Sequence, residues 1–201
     1  MIIHKNWVIN VTLSAVIVAT CFVGDKKLHA INEKQIVRAI FDNVTHGLVG
    51  LFACAIAFVD NWDKMYMALI CMFISSAIDL DHFIAAKSFR LSEATNLQSR
   101  PFLHNSLIPL IFIILLVTCH LSSQNDYVIM ILTVLSIAFS THHIRDANRR
   151  GLLFAPFFQT PPIPYFLYIG LTLLIPFIFK AFIISEFKYT RLNTSSMIID
   201  I

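Results

Sequence analysis

Charge is what this chain has least of. Charged residues make up 13% of its 201 positions, where a soluble domain carries about 25%. Mean hydropathy is +0.74. Glycine is scarce too, 5 residues against 18 phenylalanines. These shortages exclude an ordinary soluble domain and point to a multi-span membrane protein. No CxxC occurs, and Cys21, Cys54, Cys71 and Cys119 all lie in apolar runs. That argues against a disulfide framework and a thiolate zinc site, and leaves the cysteines as small core residues. The net charge of +3 is spread along the chain. It suits loops beside anionic lipid, not a nucleic-acid-binding surface.

What is present is a series of six apolar segments, at Trp7–Val23, Val44–Val59, Met65–Ala86, Ser106–Leu121, Tyr127–Ile144 and Pro164–Ile184. Crossing the hydrocarbon layer as a helix takes about 20 residues. The second, fourth and fifth segments are short by that measure. The second extends backwards if Asn32 caps a helix over residues 33–59, with Gln35 three residues on. The first is longer than a signal-peptide core and is followed by Asp25-Lys26-Lys27 instead of small residues, so it reads as an uncleaved anchor. The expected fold is all-α and polytopic, about six transmembrane helices in one domain over residues 1–184, with a polar tail over 185–201.

Span count then sorts the polar residues. Let side B be the face where the first span ends. Asp42 and His46 open the second span there. Asp79, Asp81 and His82 close the third, His104 precedes the fourth, and His142, His143 and Asp146 close the fifth. Four helices thus deliver histidine and aspartate to one face. His4, His29 and His120 fall outside this group and read as structural. Side B also holds ten of the fifteen Lys and Arg residues, and the positive-inside rule makes it cytoplasmic. Asn193-Thr194-Ser195 is a glycosylation sequon on the opposite side, and its modification would support that orientation.

Spacing refines the group. Asp42 and His46 are i,i+4 and share a helix face, as do His142 and Asp146; Asp79 and His82 are i,i+3. Asp81 points elsewhere unless the third helix unwinds at its end. Ionised groups at membrane depth cost about 2.5–3.5 kcal/mol each on insertion scales. The carboxylates therefore need partners. Arg100, Arg145 and Arg149 are candidates, and a divalent ion is the other solution, since imidazole with carboxylate is a ligand set for zinc, manganese or iron. Each group also has a plain reading: His46 as a core histidine bonded to Asp42, the Asp79–His82 run as a helix end among headgroups, His104 as an interfacial residue, Arg149 and Arg150 as lipid contacts. A transporter would place its charge near the midplane, whereas here it sits at one edge. Gly151 reads as an αL stop to the fifth helix. Pro156, Pro161, Pro162 and Pro164 then forbid helix and leave a stiff, lid-like loop on side B.

The runs Asp79-Leu80-Asp81-His82-Phe83, Arg100-Pro101-Phe102-Leu103-His104-Asn105-Ser106, His142-His143-Ile144-Arg145-Asp146 and Pro161-Pro162-Ile163-Pro164-Tyr165-Phe166-Leu167-Tyr168 resemble the transmembrane protein 267 family, an animal family of multi-pass membrane proteins. More distantly, the same order is similar to the bacterial LexA-binding, inner-membrane-associated hydrolases, also described as membrane-bound metal-dependent hydrolases, and to zinc-dependent phospholipase C-like enzymes. That resemblance implies a metal-dependent hydrolase of a lipid or other phosphoester. The implied metal residues are His46, Asp79, Asp81, His82, His104, His142 and Asp146, with zinc as the first expectation and manganese or iron as alternatives. Asp81 is a catalytic candidate as well as a metal residue, His82 and His143 are secondary candidates as ligands or proton shuttles, and Arg100 or Arg145 are candidates for holding a phosphate. Two departures stand out. Ser99 replaces a histidine of the bacterial pattern, and Asn105 separates His104 from the serine that usually follows it directly. The alternative reading is a non-catalytic integral membrane protein that keeps the cluster as a structural metal or polar-network site.

Overall fold

The computed structural model describes residues 6–28, 34–122 and 125–199, with side chains through residue 183. Eight helices follow in order: α1 Trp7–Leu28, α2 Gln35–Phe58, α3 Tyr66–Ala77, α4 Asp81–Ala86, α5 Leu91–Ala94, α6 Leu107–Leu121, α7 Asp126–Arg150 and α8 Tyr165–Ile199. A two-residue ribbon, β1 Leu153–Phe154 and β2 Phe158–Gln159, interrupts the loop between α7 and α8. Helix is the default because apolar segments of this length must pair their own backbone groups when no water reaches them. Among the described residues, five stretches are long and apolar enough to cross a membrane: Trp7–Leu28, Gln35–Phe58, Trp62–Ala86, Asp126–Arg150 and Tyr165–Ile183.

Three expectations shift. The second span begins at Gln35 behind Lys34, which makes no side-chain cap bond; Asn32, His4 and His29 lie outside the described residues. The fifth runs to Arg150, so Arg145 and Asp146 sit within the helix rather than past it. The fourth apolar segment remains short: α6 has 15 residues and rises about 22 Å, against a hydrocarbon layer of about 30 Å. Six residues after its end, on the first turn of α7, the Tyr127 ring lies 6.0 Å from the Lys64 ammonium that precedes α3.

The two ends are pinned separately. At side A, Asp60 takes an ion pair from Lys180 at 3.0 Å and a hydrogen bond from Asn6 at 2.5 Å. This ties the start of α1, the end of α2 and the middle of α8 together. The apolar core lies between, around Val49, Ala53, Cys54, Ile56, Ile137 and Ala138. Helix α2 carries Gly47 and Gly50 on the face towards α3, where a Cβ at either would collide with Ser76 or Ser75. Small residues let the two backbones approach closely, and that approach places the end of α3 beside α7.

Candidate metal centre

Helix α3 ends at Ala77, and the chain tightens into a 3-10 turn over Ile78–Leu80 before α4 begins at Asp81. A 3-10 turn advances about 120° per residue where an α-helix advances about 100°. This is the unwinding that Asp81 required. Asp79 now points into the bundle end. Asn43 on α2 donates to its Oδ2 at 3.2 Å and to the Ser76 carbonyl at 2.8 Å, which leaves Asp79 Oδ1 facing inwards. His104 arrives from above, on a turn over Phe102–His104 that follows Pro101. Asp81 Oδ2 fixes that turn by accepting the Leu103 amide at 2.7 Å.

Four donor atoms converge. His104 Nε2 lies 3.3 Å from His142 Nε2, 3.4 Å from Asp79 Oδ1 and 3.5 Å from Asp146 Oδ2. His142 Nε2 lies 3.6 Å from Asp79 Oδ1 and 3.9 Å from Asp146 Oδ2. Donors 2.0–2.1 Å from a tetrahedral zinc ion are separated from one another by about 3.3 Å. The five separations here run from 3.3 to 3.9 Å, and His104, His142 and Asp146 lie close enough together to hold a divalent ion, with Asp79 beside the two imidazoles.

The surrounding contacts orient these donors. His142 Nδ1 is 3.0 Å from the Ser75 carbonyl. A carbonyl only accepts, so Nδ1 carries the proton and Nε2 turns a lone pair to the centre. His104 Nδ1 faces Asp81, 3.3 Å from Oδ1. Both arrangements are the carboxylate or carbonyl backing that metal-binding imidazoles usually have. Asp81 also meets His82 Nδ1 at 3.3 Å. Asp81 and His82 thus lie on the far side of the His104 ring from His142. The His46 ring stacks on His142, centroids 3.7 Å apart, with its Nε2 3.5 Å from Asp146 Oδ1. Groupings of His46, Asp79 and His142, and of Asp79, His82 and His104, are also tight enough to hold an ion. His143 is buried, donates from Nδ1 to the Phe139 carbonyl at 2.7 Å, and leaves Nε2 without a partner.

A second layer is ionic. Arg145 is 1% exposed. It donates to Asp42, to Asp25 at 3.1 Å and to His46 Nε2 at 3.0 Å. Arg149 bridges Asp42 at 3.0 Å and Asp146 at 2.6 Å, a place inside the network rather than among lipid headgroups. Arg100 donates to the Gly151 carbonyl at 2.8 Å, and its Nη2 is buried without a partner. Asp25, Asn43 and the Ser75 carbonyl are contributors that the sequence did not single out. Asp25 carried a signal, since it closes the first span on side B. A backbone carbonyl carries none.

The loop over the centre is stitched down. Gly151 takes φ +73°, though with ψ 176° it is extended rather than αL, and a Cβ there would strike the Thr160 backbone. Asn105, the departure from the bacterial pattern, donates to the Ala155 carbonyl at 2.9 Å and accepts the Leu107 amide at 3.1 Å. It pins the ribbon while starting α6. Ser106 N–H donates to the Leu153 carbonyl at 2.7 Å. Asp79 remains 26% exposed, so the centre stays open at that edge.

The architecture is that of an all-α, multi-pass membrane protein whose helices gather a His/Asp cluster at one end. The chain belongs to the transmembrane protein 267 family. It is 37% identical over 160 residues to "Transmembrane protein 267" of Xenopus laevis, covering 78% of this chain and 74% of that protein. It is 37% identical over 167 residues to the Danio rerio protein, covering 81% and 76%, and 34% identical over 160 residues to the Mus musculus protein. No protein-family model and no solved structure matches the chain.

Proposed function

We propose that the cluster holds a divalent ion, zinc before manganese or iron, and that the protein is a metal-dependent hydrolase of a lipid or other phosphoester. The observation that carries this reading is the convergence of His104, His142 and Asp146 on one point, with Asp79 Oδ1 within 3.6 Å of both imidazoles. Charge supports it. Asp25, Asp42, Asp79, Asp81 and Asp146 share this end of the bundle with the guanidiniums of Arg145 and Arg149, and Arg100 stands at the rim. An added cation offsets the excess.

When bound, such an ion supplies Lewis-acid polarisation of a phosphoryl oxygen and lowers the pKa of a water towards about 7. The chain's own groups do the rest. Asp79 and Asp146 hold opposite edges of the centre, and Asp81 steadies His104. Arg100 Nη2 is available to a phosphate oxygen, and His143 Nε2 is available to accept a proton. The excess of Lys and Arg at this end supports a cytoplasmic face for it. A non-catalytic protein with the same ion as a structural support is the second reading; the ionic layer around Arg145 favours it, since the guanidinium ties Asp25 on α1 to Asp42 on α2 and so serves the fold directly.

Purified wild-type protein is expected to carry zinc in stoichiometric amount by elemental analysis and to hydrolyse members of a phospholipid and phosphoester panel. Bound metal with no turnover selects the structural reading; absence of metal overturns both.

Affinity for the ion should depend on pH. Burial alone would push the His104 imidazole down, but its bonds to Asp79 and Asp81, with the charge of Asp146, push it up to about 9. Below that value the ion must displace a proton. Zinc affinity, measured by chelator competition, should rise about tenfold per pH unit up to about pH 9. In the ion-free protein the sign is opposite. A raised folded-state value stabilises fully below about pH 6.5, and that contribution is lost as pH climbs through about 9. A flat affinity profile from pH 6.5 to pH 9 would rule out the proton on His104.

A further inference from the structure

The loops around the centre expose large aromatic side chains among their polar ones. Phe89 is 99% exposed, Phe102 77%, Phe157 75% and Phe158 60%. Phe89 follows α4, and Phe102 opens the turn that carries His104. Phe157 and Phe158 lie at the tip of the ribbon, where Phe154 and Phe158 stack at 4.8 Å. The same exposure continues along the spans that enter these loops, at Ile84 before Phe89 and at Phe166 on the first turn of α8. Exposed Lys87 and Arg90 flank Phe89.

Large aromatic side chains grouped on loops are costly in water. Interleaved with Lys and Arg, they make the composition of a segment that rests at the boundary of headgroups and acyl chains, with rings below and charges above. Continuity with the lipid-facing sides of the third span and α8 favours the same leaflet over a protein partner.

We propose that these two loops are seated in the phospholipid leaflet, and that the centre takes its substrate from that leaflet: an amphipathic phosphoester lipid, not a water-soluble phosphoester. The seating stands independently of the hydrolase reading, whereas the choice of substrate rests on it. Asp79, at the open edge, lies on the third span five residues before exposed Ile84 and ten before exposed Phe89.

The test uses full-length protein in vesicles of phosphatidylcholine and phosphatidylserine. Trp7 and Trp62, the two native tryptophans, are replaced by phenylalanine, and Phe157→Trp or Phe89→Trp is introduced singly. Both positions are exposed, so the new rings disturb no core. Seating predicts a blue-shifted emission, most of it lost when the acyl chains are brominated, with little quenching by aqueous acrylamide. Strong acrylamide quenching without bromolipid quenching overturns the seating. So does shielding from both quenchers, which would mean a protein contact. In wild type, turnover of a bilayer phospholipid well above that of its free headgroup phosphoester is expected. Equal turnover overturns the substrate class while leaving the metal hydrolase intact. Metal-free, inactive protein defeats the hydrolase reading and the substrate class with it, and quenching alone then decides the seating.

Discussion

Replacing His142 by alanine together with Asp79 by asparagine is expected to strip the bound ion to background while leaving the protein monodisperse in detergent. The two residues present Nε2 and Oδ1 3.6 Å apart at the middle of the cluster. They belong to different segments, so no local rearrangement of one replaces the other. The fold should survive because the contacts that hold the bundle lie elsewhere: the glycine face of α2, the Asp60–Lys180 knot and the Arg145 layer. A graded companion sharpens the result. Asp81→Asn removes the carboxylate behind His104 without removing one of the four converging donors. Loss of such backing typically lowers affinity about 10–100-fold. If Asp81→Asn abolishes binding as fully as the double variant, Asp81 is itself a ligand and the four-donor assignment is wrong. Elemental analysis and chelator titration of the three proteins decide it.

Arg145→Met is expected to be the most destabilising single change in the chain. The guanidinium is 1% exposed and sits between Asp25 on α1 and Asp42 on α2. Methionine keeps much of the volume and removes the charge, so two carboxylates are left at membrane depth with one fewer cation. Breaking a buried ion pair from one side costs about 3–5 kcal/mol. Thermal unfolding followed by size exclusion should show the melting point falling sharply. Adding Asp25→Asn should recover part of the loss, because neutralising the orphaned partner removes its desolvation penalty. If Arg145→Met melts with wild type, the guanidinium is not what neutralises these aspartates. If Asp25→Asn deepens the loss, Asp25 is held by something other than Arg145.

These two variants separate two uses of charge that looked alike in sequence. Read along the chain, Asp42, Asp79, Asp81 and Asp146 were equivalent aspartates on side B. In the structure, Asp42 is taken up by Arg145 and Arg149, Asp79 turns to the imidazoles, Asp146 divides its two oxygens between Arg149 and the imidazoles, and Asp81 stands behind His104. Spacing could show that Asp42 and His46 share a face, and they do approach to 3.7 Å. It could not show that α1 delivers Asp25 to the same place, because that depends on how helices 1, 2 and 7 pack.

Several features were legible because they follow from length and periodicity. Apolar runs of about 20 residues have one low-energy form in hydrocarbon, so the all-α, polytopic class followed from composition. Alternation of spans then assigned polar residues to ends, and the clustering of His46, His104 and His142 from three separate segments agrees with that count. The boundaries were less legible. The fifth span outran its apolar run by six residues, since polar groups that find partners inside a bundle need not end a helix. The 3-10 turn at Ile78–Leu80 left no mark in the residue pattern. The ribbon at Leu153–Gln159 was likewise invisible, its two pairs being fixed by bonds to distant backbone such as Ser106 to Leu153.

By itself, the sequence determined that this is a membrane protein of apolar helices and that His46, His104, His142 and their neighbouring aspartates belong at one end, because hydrophobic length and span parity are properties of the chain alone. Only the tertiary structure decided which carboxylate faces an imidazole and which faces a guanidinium. A rotation of a few tens of degrees in one helix, or one tightened turn, exchanges those partners without altering the pattern of residues, and distances of 3–4 Å are settled by how neighbouring helices pack.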